Sequence, residues 1–234
     1  MAYFSNSKIS LYFEEAEVVV LDLNGLIVDD EPIQLAATNS SLAPYDVYLD
    51  ENYWIHNCVG HKPMEYLPNL LDPFHLNDGD IRHIVEIKDK VYENMVLASG
   101  AVLIRTGVSD LIDYTIMSET KNLALATSTT RTGVNIILGE RGLSIIDKFD
   151  FIVCGDDVSH AKPHPEIYNV VANYFGTAKS FVVFEDARSG VISAKSAGMP
   201  CLAVPNKFTR FSDLSCADLI ISDMSSNAEI ILQS

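Results

Sequence analysis

Glu17 to Leu23 reads EVVVLDL, a β-branched apolar run that stops abruptly at Asp22-Leu23-Asn24-Gly25. Comparable runs recur at Asn122 to Ala126 (NLALA), Phe149 to Cys154 (FDFIVC), Ser180 to Phe184 (SFVVF), Cys201 to Val204 (CLAV) and Asp218 to Ile221 (DLII). A strand with one wet face alternates apolar and polar residues. These runs do not, so they suit strands buried on both faces, as in a parallel sheet. The stretches Val108 to Thr120, Arg131 to Arg141, Pro165 to Phe175 and Arg188 to Ala197 read as helices between them. Strand, helix and strand in repetition imply βαβ units with right-handed crossovers, and hence an open α/β sheet.

One gap breaks this rhythm. Between Asp29 and Gly100 no buried strand is readable, and segments such as Asp80 to Leu97 (DIRHIVEIKDKVYENMVL) carry helical periodicity. A stretch of roughly seventy helix-forming residues is too long for a plain loop and predicts an inserted helical cap. Pro32, Pro44, Pro63, Pro68 and Pro73 divide it into short helices. The predicted organisation is a core of residues 1–32 and 100–234, with 1–16 as an N-terminal extension, and a cap of residues 33–99.

The chain carries 32 acidic and 16 basic side chains among 234 residues, a net charge of −16. That excess argues against nucleic acid and anionic membranes as partners, because both need a positive field. A small anionic substrate remains compatible, since it meets only the charges lining its pocket. Cys58, Cys154, Cys201 and Cys216 are scattered, with no C-x-x-C pair, and predict reduced thiols rather than a zinc site. Met1 to Ala16 lacks a basic start followed by an apolar run, and the apolar stretches are too short to span a bilayer. A cytoplasmic protein is the expectation.

In open parallel sheets, ligands bind beyond the carboxyl ends of the strands. The polar residues that close the runs are Asp22 and Asn24, Thr127 and Ser128, Asp156 and Asp157, and Glu185 and Asp186. Lys162 follows the third run in Ala161-Lys162-Pro163. One edge therefore gathers carboxylates, two small hydroxyls and an ammonium. Such carboxylates suit Mg²⁺, which prefers hard oxygen ligands, and the donors suit phosphate oxygens. Taken singly, Thr127 and Ser128 serve equally well as helix caps, and Glu185-Asp186 as a solvated pair. The joint pattern favours a site.

LDLNGLIVDDEP (Leu21 to Pro32), LALATST (Leu123 to Thr129), GDDVSHAKPHPEIY (Gly155 to Tyr168) and FEDARSGVISAKSAGMP (Phe184 to Pro200) resemble the four motifs of the haloacid dehalogenase-like superfamily. The nearest branch is that of beta-phosphoglucomutase and related sugar-phosphate phosphatases, and the resemblance runs from Glu17 to Ile221. It implies a Rossmann-like parallel core with an inserted cap that closes over the site, and a Mg²⁺-dependent phosphatase-like hydrolase of a small phosphorylated metabolite. It implies Asp22 as the nucleophile that forms an aspartyl-phosphate, Thr127 and Ser128 as phosphate contacts, and Lys162 as the cation that neutralises the phosphate and fixes Asp22. The metal ligands it implies are Asp22, Asp186 and the backbone carbonyl of Asn24, with Glu185 behind them and Asp157 nearby. His61 and Lys62 fall where related caps present a substrate-contacting loop.

Asn24 departs from the family pattern, which has Asp there as general acid and base. An amide cannot transfer that proton at neutral pH. General acid–base catalysis contributes about 10²- to 10⁴-fold, so a phosphatase slowed on unactivated esters is expected. Three accounts compete: an activated or different substrate bond, a member kept for binding or regulation, or a substitution introduced to trap a complex. A carbon–phosphorus hydrolase using Lys62 as a Schiff-base lysine is a further alternative. A phosphomutase ranks lower because it needs the acid more acutely. Trp54, with Tyr53 and His56 nearby, reads as cap core, His83 and His160 as solvent-exposed, and Asp29-Asp30-Glu31 as an exposed acidic turn.

Overall fold

A computed structural model of the chain describes residues 2–59, 61–99 and 103–231. In chain order its helices and strands are α1 (Ser7–Glu15), β1 (Val18–Leu21), β2 (Val28–Asp29), α2 (Glu31–Leu42), α3 (Glu51–Asn57), α4 (Pro63–Leu70), α5 (Asp78–Ser99), β3 (Leu103–Ile104), α6 (Val108–Met117), β4 (Asn122–Ala126), α7 (Arg131–Leu138), β5 (Phe151–Val153), α8 (Glu166–Phe175), β6 (Phe181–Glu185), α9 (Arg188–Ser196), β7 (Cys201–Ala203) and β8 (Leu219–Ile220). They form two compact units, Met1–Asp29 with Val102–Ser234, and Asp30–Ala101.

The first unit is built on a parallel sheet of order β5-β4-β1-β6-β7-β8. All four residues of β1 are buried, which is why its sequence is continuously apolar. Leu21 lies level with Leu125 of β4 on one side and Phe184 of β6 on the other. From β1 the chain builds outward through β4 and β5, then returns to build the opposite side. That reversal opens a crevice beyond the carboxyl ends of β1, β4 and β6.

One face of the sheet is covered by Ile167, Tyr168 and Val171 of α8 and by Val191 and Ala194 of α9. On Phe184 the first residues of the chain make an aromatic cluster: Phe4 and Phe13 have ring centroids 6.3 and 6.4 Å from it and 5.3 Å from each other. Asn6 caps α1 by accepting from the backbone N–H groups of Lys8 and Ile9. At its other end the Lys121 ammonium accepts the role of partner to the carbonyls of Phe13, Glu14 and Ala16, donating to each. The extension that falls outside the sequence motifs is thus an integral part of the core.

Helix ends differ from expectation where local backbone stops them. The first of the four predicted helices ends at Met117 because Ser118 is extended, and the second ends at Leu138 because Gly139 is extended. The short antiparallel pair of β2 and β3 (Val28↔Ile104, Asp29↔Leu103) was not foreseen, since two residues carry no readable periodicity.

The second unit is helical, comprising α2 to α5. Trp54 is buried and its indole N–H donates to Glu31 Oε2 at 2.7 Å, whereas Tyr53 and His56 are exposed. The expectation of an exposed acidic turn needs correcting: Asp29 and Glu31 are half-buried, and Asp30 is fully buried. Its Oδ2 accepts from the Tyr92 hydroxyl at 2.7 Å and the Gln34 amide at 3.0 Å. Gly60 and the Gly100 return point lie outside the described residues. Among the described residues no helix is long and apolar enough to cross a membrane. The four cysteines are unpaired thiols, with only Cys216 exposed.

Candidate active site

Asp22 is the first residue past β1, Glu185 the last of β6, and Asp186 the next. The register that aligns Leu21 with Phe184 brings these three together. All are buried, and one carboxylate oxygen from each lies within 4.8 Å of the other two.

Lys162 reaches into this cluster with a side chain only 5% exposed. Its Nζ donates to Asp22 Oδ1 at 2.6 Å, to Glu185 Oε1 at 2.6 Å and to the Ala126 carbonyl at 2.9 Å. The ammonium thus joins the ends of β1, β4 and β6. Glu185 is held further by the Tyr168 hydroxyl at 2.6 Å and by the backbone N–H of Asp186 at 3.2 Å. Gly190 is what lets α9 start so close: a Cβ there would stand 2.0 Å from the Glu185 carboxyl carbon.

Asp186 is held by a residue the sequence reading passed over. Asn206 Nδ2 donates to Asp186 Oδ2 at 2.9 Å and to the Gly25 carbonyl at 3.1 Å. Asn206 Oδ1 accepts from the N–H groups of Phe208 and Thr209, which fixes the orientation of the amide. Gly25 has φ +81°, and a Cβ there would meet Asp186 Oδ2 at 2.2 Å, so the turn after Asn24 lies against that carboxylate. Arg105 secures the same turn, donating to the carbonyls of Gly25, Val204 and Pro205.

The electrostatics follow from burial. Desolvation raises the pKa of Asp22, Lys162 opposes this, and Glu185 adds to it. Burial alone would lower Lys162, but the carboxylates of Asp22 and Glu185 outweigh it and hold the ammonium charged. Burial pushes the Tyr168 hydroxyl well up, with Glu185 contributing, so it remains a donor. Arg105 is lowered by burial, against the pull of Asp186, Asp29 and Asp223.

Asn24 Oδ1 accepts from the Thr129 hydroxyl. Thr127 is buried, and its Oγ1 accepts from the backbone N–H of Thr129 at 3.1 Å. Ser128 is exposed. Neither Thr127 nor Ser128 caps α7; Thr130 does, accepting from Gly133 N–H. Asp157, expected near the carboxylate cluster, turns elsewhere. Its Oδ2 accepts from the guanidinium of Arg131, at the start of α7, at 2.6 Å and from Cys154 N–H at 2.8 Å, and these bonds hold that oxygen. His61 and Lys62 belong to the second unit. Both are exposed, with His61 Nδ1 3.2 Å from Glu65 Oε2 and Lys62 at the N-cap of α4.

Thr129, Tyr168, Asn206 and Arg105 were missed by sequence reasoning. Asn206 had a signal: it follows the run CLAV through Val204-Pro205, as Asp186 follows SFVVF. Thr129 stands two residues after Thr127 in LALATST. Arg105 and Tyr168 carried none.

The donor set fits a hard divalent cation. Of three buried carboxylates, two share the Lys162 ammonium, all the offered side-chain atoms are oxygen, and the Gly25 turn leaves backbone where a side chain would intrude on Asp186. A cavity of about 570 Å³ lies elsewhere, at the amino end of β6, lined by residues that include Lys179, Phe181 and Pro200. It contains no comparable set of charged groups, and the chemistry is located by the carboxylates.

A family model described as haloacid dehalogenase-like hydrolase matches residues 19–204. Protein CbbY of Rhodobacter capsulatus is 30% identical over 226 residues, covering 92% of this chain and 96% of its own length. The phosphorylated carbohydrates phosphatase of Thermotoga maritima is 32% identical over 186 residues, 78% of this chain and 82% of its own. Among solved structures, CbbY from Rhodobacter sphaeroides in complex with phosphate matches with a TM-score of 0.77 at 24% identity, covering 89% of this chain and 95% of that one. A beta-phosphoglucomutase from Clostridium difficile matches with a TM-score of 0.72 at 23% identity, over 89% and 92% of the two chains. These two structural likenesses speak to the fold.

Proposed function

The chain belongs to the haloacid dehalogenase-like hydrolase family, and on that premise we propose a Mg²⁺-dependent phosphatase-like hydrolase of small phosphorylated metabolites, of the CbbY and beta-phosphoglucomutase-like branch. The observation that carries this reading is the Lys162 ammonium shared between Asp22 and Glu185. It neutralises charge at the point where a phosphoryl group would meet the nucleophile.

In this mechanism a carboxylate oxygen of Asp22 attacks phosphorus. A bond from Asp22 to phosphorus forms as the bond to the leaving oxygen breaks. Water then attacks the aspartyl-phosphate, releasing phosphate and regenerating Asp22. Lys162 holds Asp22 in place and offsets the negative charge that the substrate brings. The hydroxyls of Thr127 and Ser128 donate to phosphoryl oxygens. His61 and Lys62 contribute substrate contacts from the cap. Mg²⁺, held by Asp22, Asp186 and the Asn24 carbonyl with Glu185 behind, would supply positive charge against the phosphoryl oxygens.

Asn24 offers the leaving oxygen a hydrogen bond but keeps its proton. Alkyl esters, whose leaving groups need that proton, are therefore slow, and esters with good leaving groups suffer less. Asn24 also favours a second reading, a metabolite-binding protein with weak turnover. Phosphate release across a panel of sugar and aryl phosphates, with Mg²⁺ or with EDTA, tests the first reading. Mg²⁺-dependent release that disappears in Asp22→Asn supports it. Release from Asp22→Asn equal to that of the unchanged chain would overturn it, and binding without release would favour the second reading.

A further inference from the structure

The loop that delivers Lys162 inward turns two imidazoles outward. In Ser159-His160-Ala161-Lys162-Pro163-His164-Pro165-Glu166, the rings of His160 and His164 lie with centroids 4.5 Å apart. Glu166, the first residue of α8, completes a group whose ligand atoms all fall within 4.8 Å. We propose that His160, His164 and Glu166 form a second divalent-cation site, separate from the Asp22 cluster, that takes imidazole-seeking ions such as Zn²⁺, Co²⁺ or Ni²⁺ in preference to Mg²⁺.

Geometry supports this first. Glu166 Oε2 is 2.7 Å from His160 Nδ1 and 3.9 Å from His164 Nδ1. Bonds of about 2.0–2.1 Å to a tetrahedral ion set ligand atoms about 3.4 Å apart. The two observed separations bracket that value, so small side-chain rotations suffice. The carboxylate is also held from behind. Its Oε1 accepts from Ser159 N–H and its Oε2 from His160 N–H, each at 2.9 Å. Such outer contacts orient a ligand before the ion arrives. His164 Nδ1 accepts only a long 3.3 Å bond from Glu166 N–H, a weak contact that an ion would displace.

Ligand chemistry supports it next. Two imidazoles and one carboxylate suit Zn²⁺ and its neighbours, whereas Mg²⁺ wants oxygen. The side chains are 65%, 51% and 28% exposed, so an ion can enter and keep water in its remaining positions. Other groupings are poorer. His61 with Glu65 and His83 with Glu86 each provide one imidazole. The Cys154, Asp156 and Asp157 group contains a thiol that burial pushes up to about 11, which keeps it protonated. An ion at the proposed site ties both ends of the Lys162 loop to the first turn of α8. The site therefore lies on the segment that presents the ammonium to Asp22.

Calorimetric titration of the full chain with Zn²⁺, in excess Mg²⁺, tests the proposal against the double variant His160→Ala with His164→Ala and against His83→Ala as a control. The unchanged chain and the control are expected to bind one Zn²⁺ that the double variant binds at least about 10-fold more weakly. Co²⁺ should give a visible absorption band in the first two and not in the third. Both mutated histidines are exposed, and matching melting curves in EDTA would establish that the variant is folded. If it is not, Glu166→Gln provides the same comparison. Equal stoichiometry and affinity in all three proteins, or no Zn²⁺ uptake by the unchanged chain, would overturn the proposal.

Discussion

The Thr129 hydroxyl, just past β4, donates a hydrogen bond to Asn24 Oδ1, just past β1. The protein thereby holds the amide through its oxygen, and an amide has no proton to transfer at neutral pH. An aspartate at this position could accept the same bond through one oxygen and use the other for proton transfer.

Asn24→Asp is therefore expected to fold as before and to gain about 10²- to 10⁴-fold in turnover on sugar phosphates. The gain on aryl phosphates should be far smaller, because their leaving groups need less protonation. Steady-state rates with Mg²⁺ on both substrate classes check this, and equal rates for the two proteins on sugar phosphates would refute the missing-acid account.

Lys162→Met removes the cation that Asp22 and Glu185 share in a buried setting. Leaving buried carboxylates without their partner costs about 3–5 kcal/mol, and turnover should fall with it. Urea denaturation reads the stability. A change below about 1 kcal/mol would mean that the ion pair behaves like one on the surface.

Asn206→Ala leaves Asp186 in place but loses the amide that orients it. The Mg²⁺ concentration for half-maximal activity should rise about 10- to 100-fold, with saturating Mg²⁺ restoring most of the rate. A rate loss that Mg²⁺ does not restore would assign Asn206 a different role.

Gly190→Ala places a methyl group 2.0 Å from the Glu185 carboxyl carbon. Either α9 or Glu185 must shift, at a cost of about 1–3 kcal/mol, and Mg²⁺-supported activity should fall together with the melting temperature. An unchanged melting temperature would show that the close approach is relieved without strain.

Phe13→Ala opens a hole beneath α1, where Phe13 is fully buried against Phe4 and Phe184. The expected loss is about 3–5 kcal/mol, measured by chemical denaturation. A loss under about 1 kcal/mol would mean that α1 is only loosely tied to the sheet.

The grouping of Asp22, Glu185 and Asp186 was legible because each stands at the end of a run that only a doubly buried strand explains. Lys162 was a weaker reading on its own, since a lysine before proline looks the same at any surface; its partners lie 140 and 23 residues away. Asn206 is harder to read because Pro205 separates it from its run and its partner Asp186 lies 20 residues away. Arg105 and Thr129 act through contacts set by tertiary packing, with Thr129 meeting Asn24 across 105 residues. Asp30 was misread for the same reason in reverse. An acidic triplet looks solvated until Tyr92, 62 residues on, arrives to satisfy it.

The pairing of Val28 with Ile104 and Asp29 with Leu103 has an evolutionary consequence. The outgoing and returning chains are hydrogen-bonded neighbours, and Arg105 N–H extends the join by donating to Ile27. A segment spliced in at such a seam adds no new crossing to the sheet and displaces no strand from its partner. Its length and character can drift while the carboxylate-bearing strands keep their register. The carboxylate cluster is thus a fixed frame, and the segment joined at this seam can change without redrawing it.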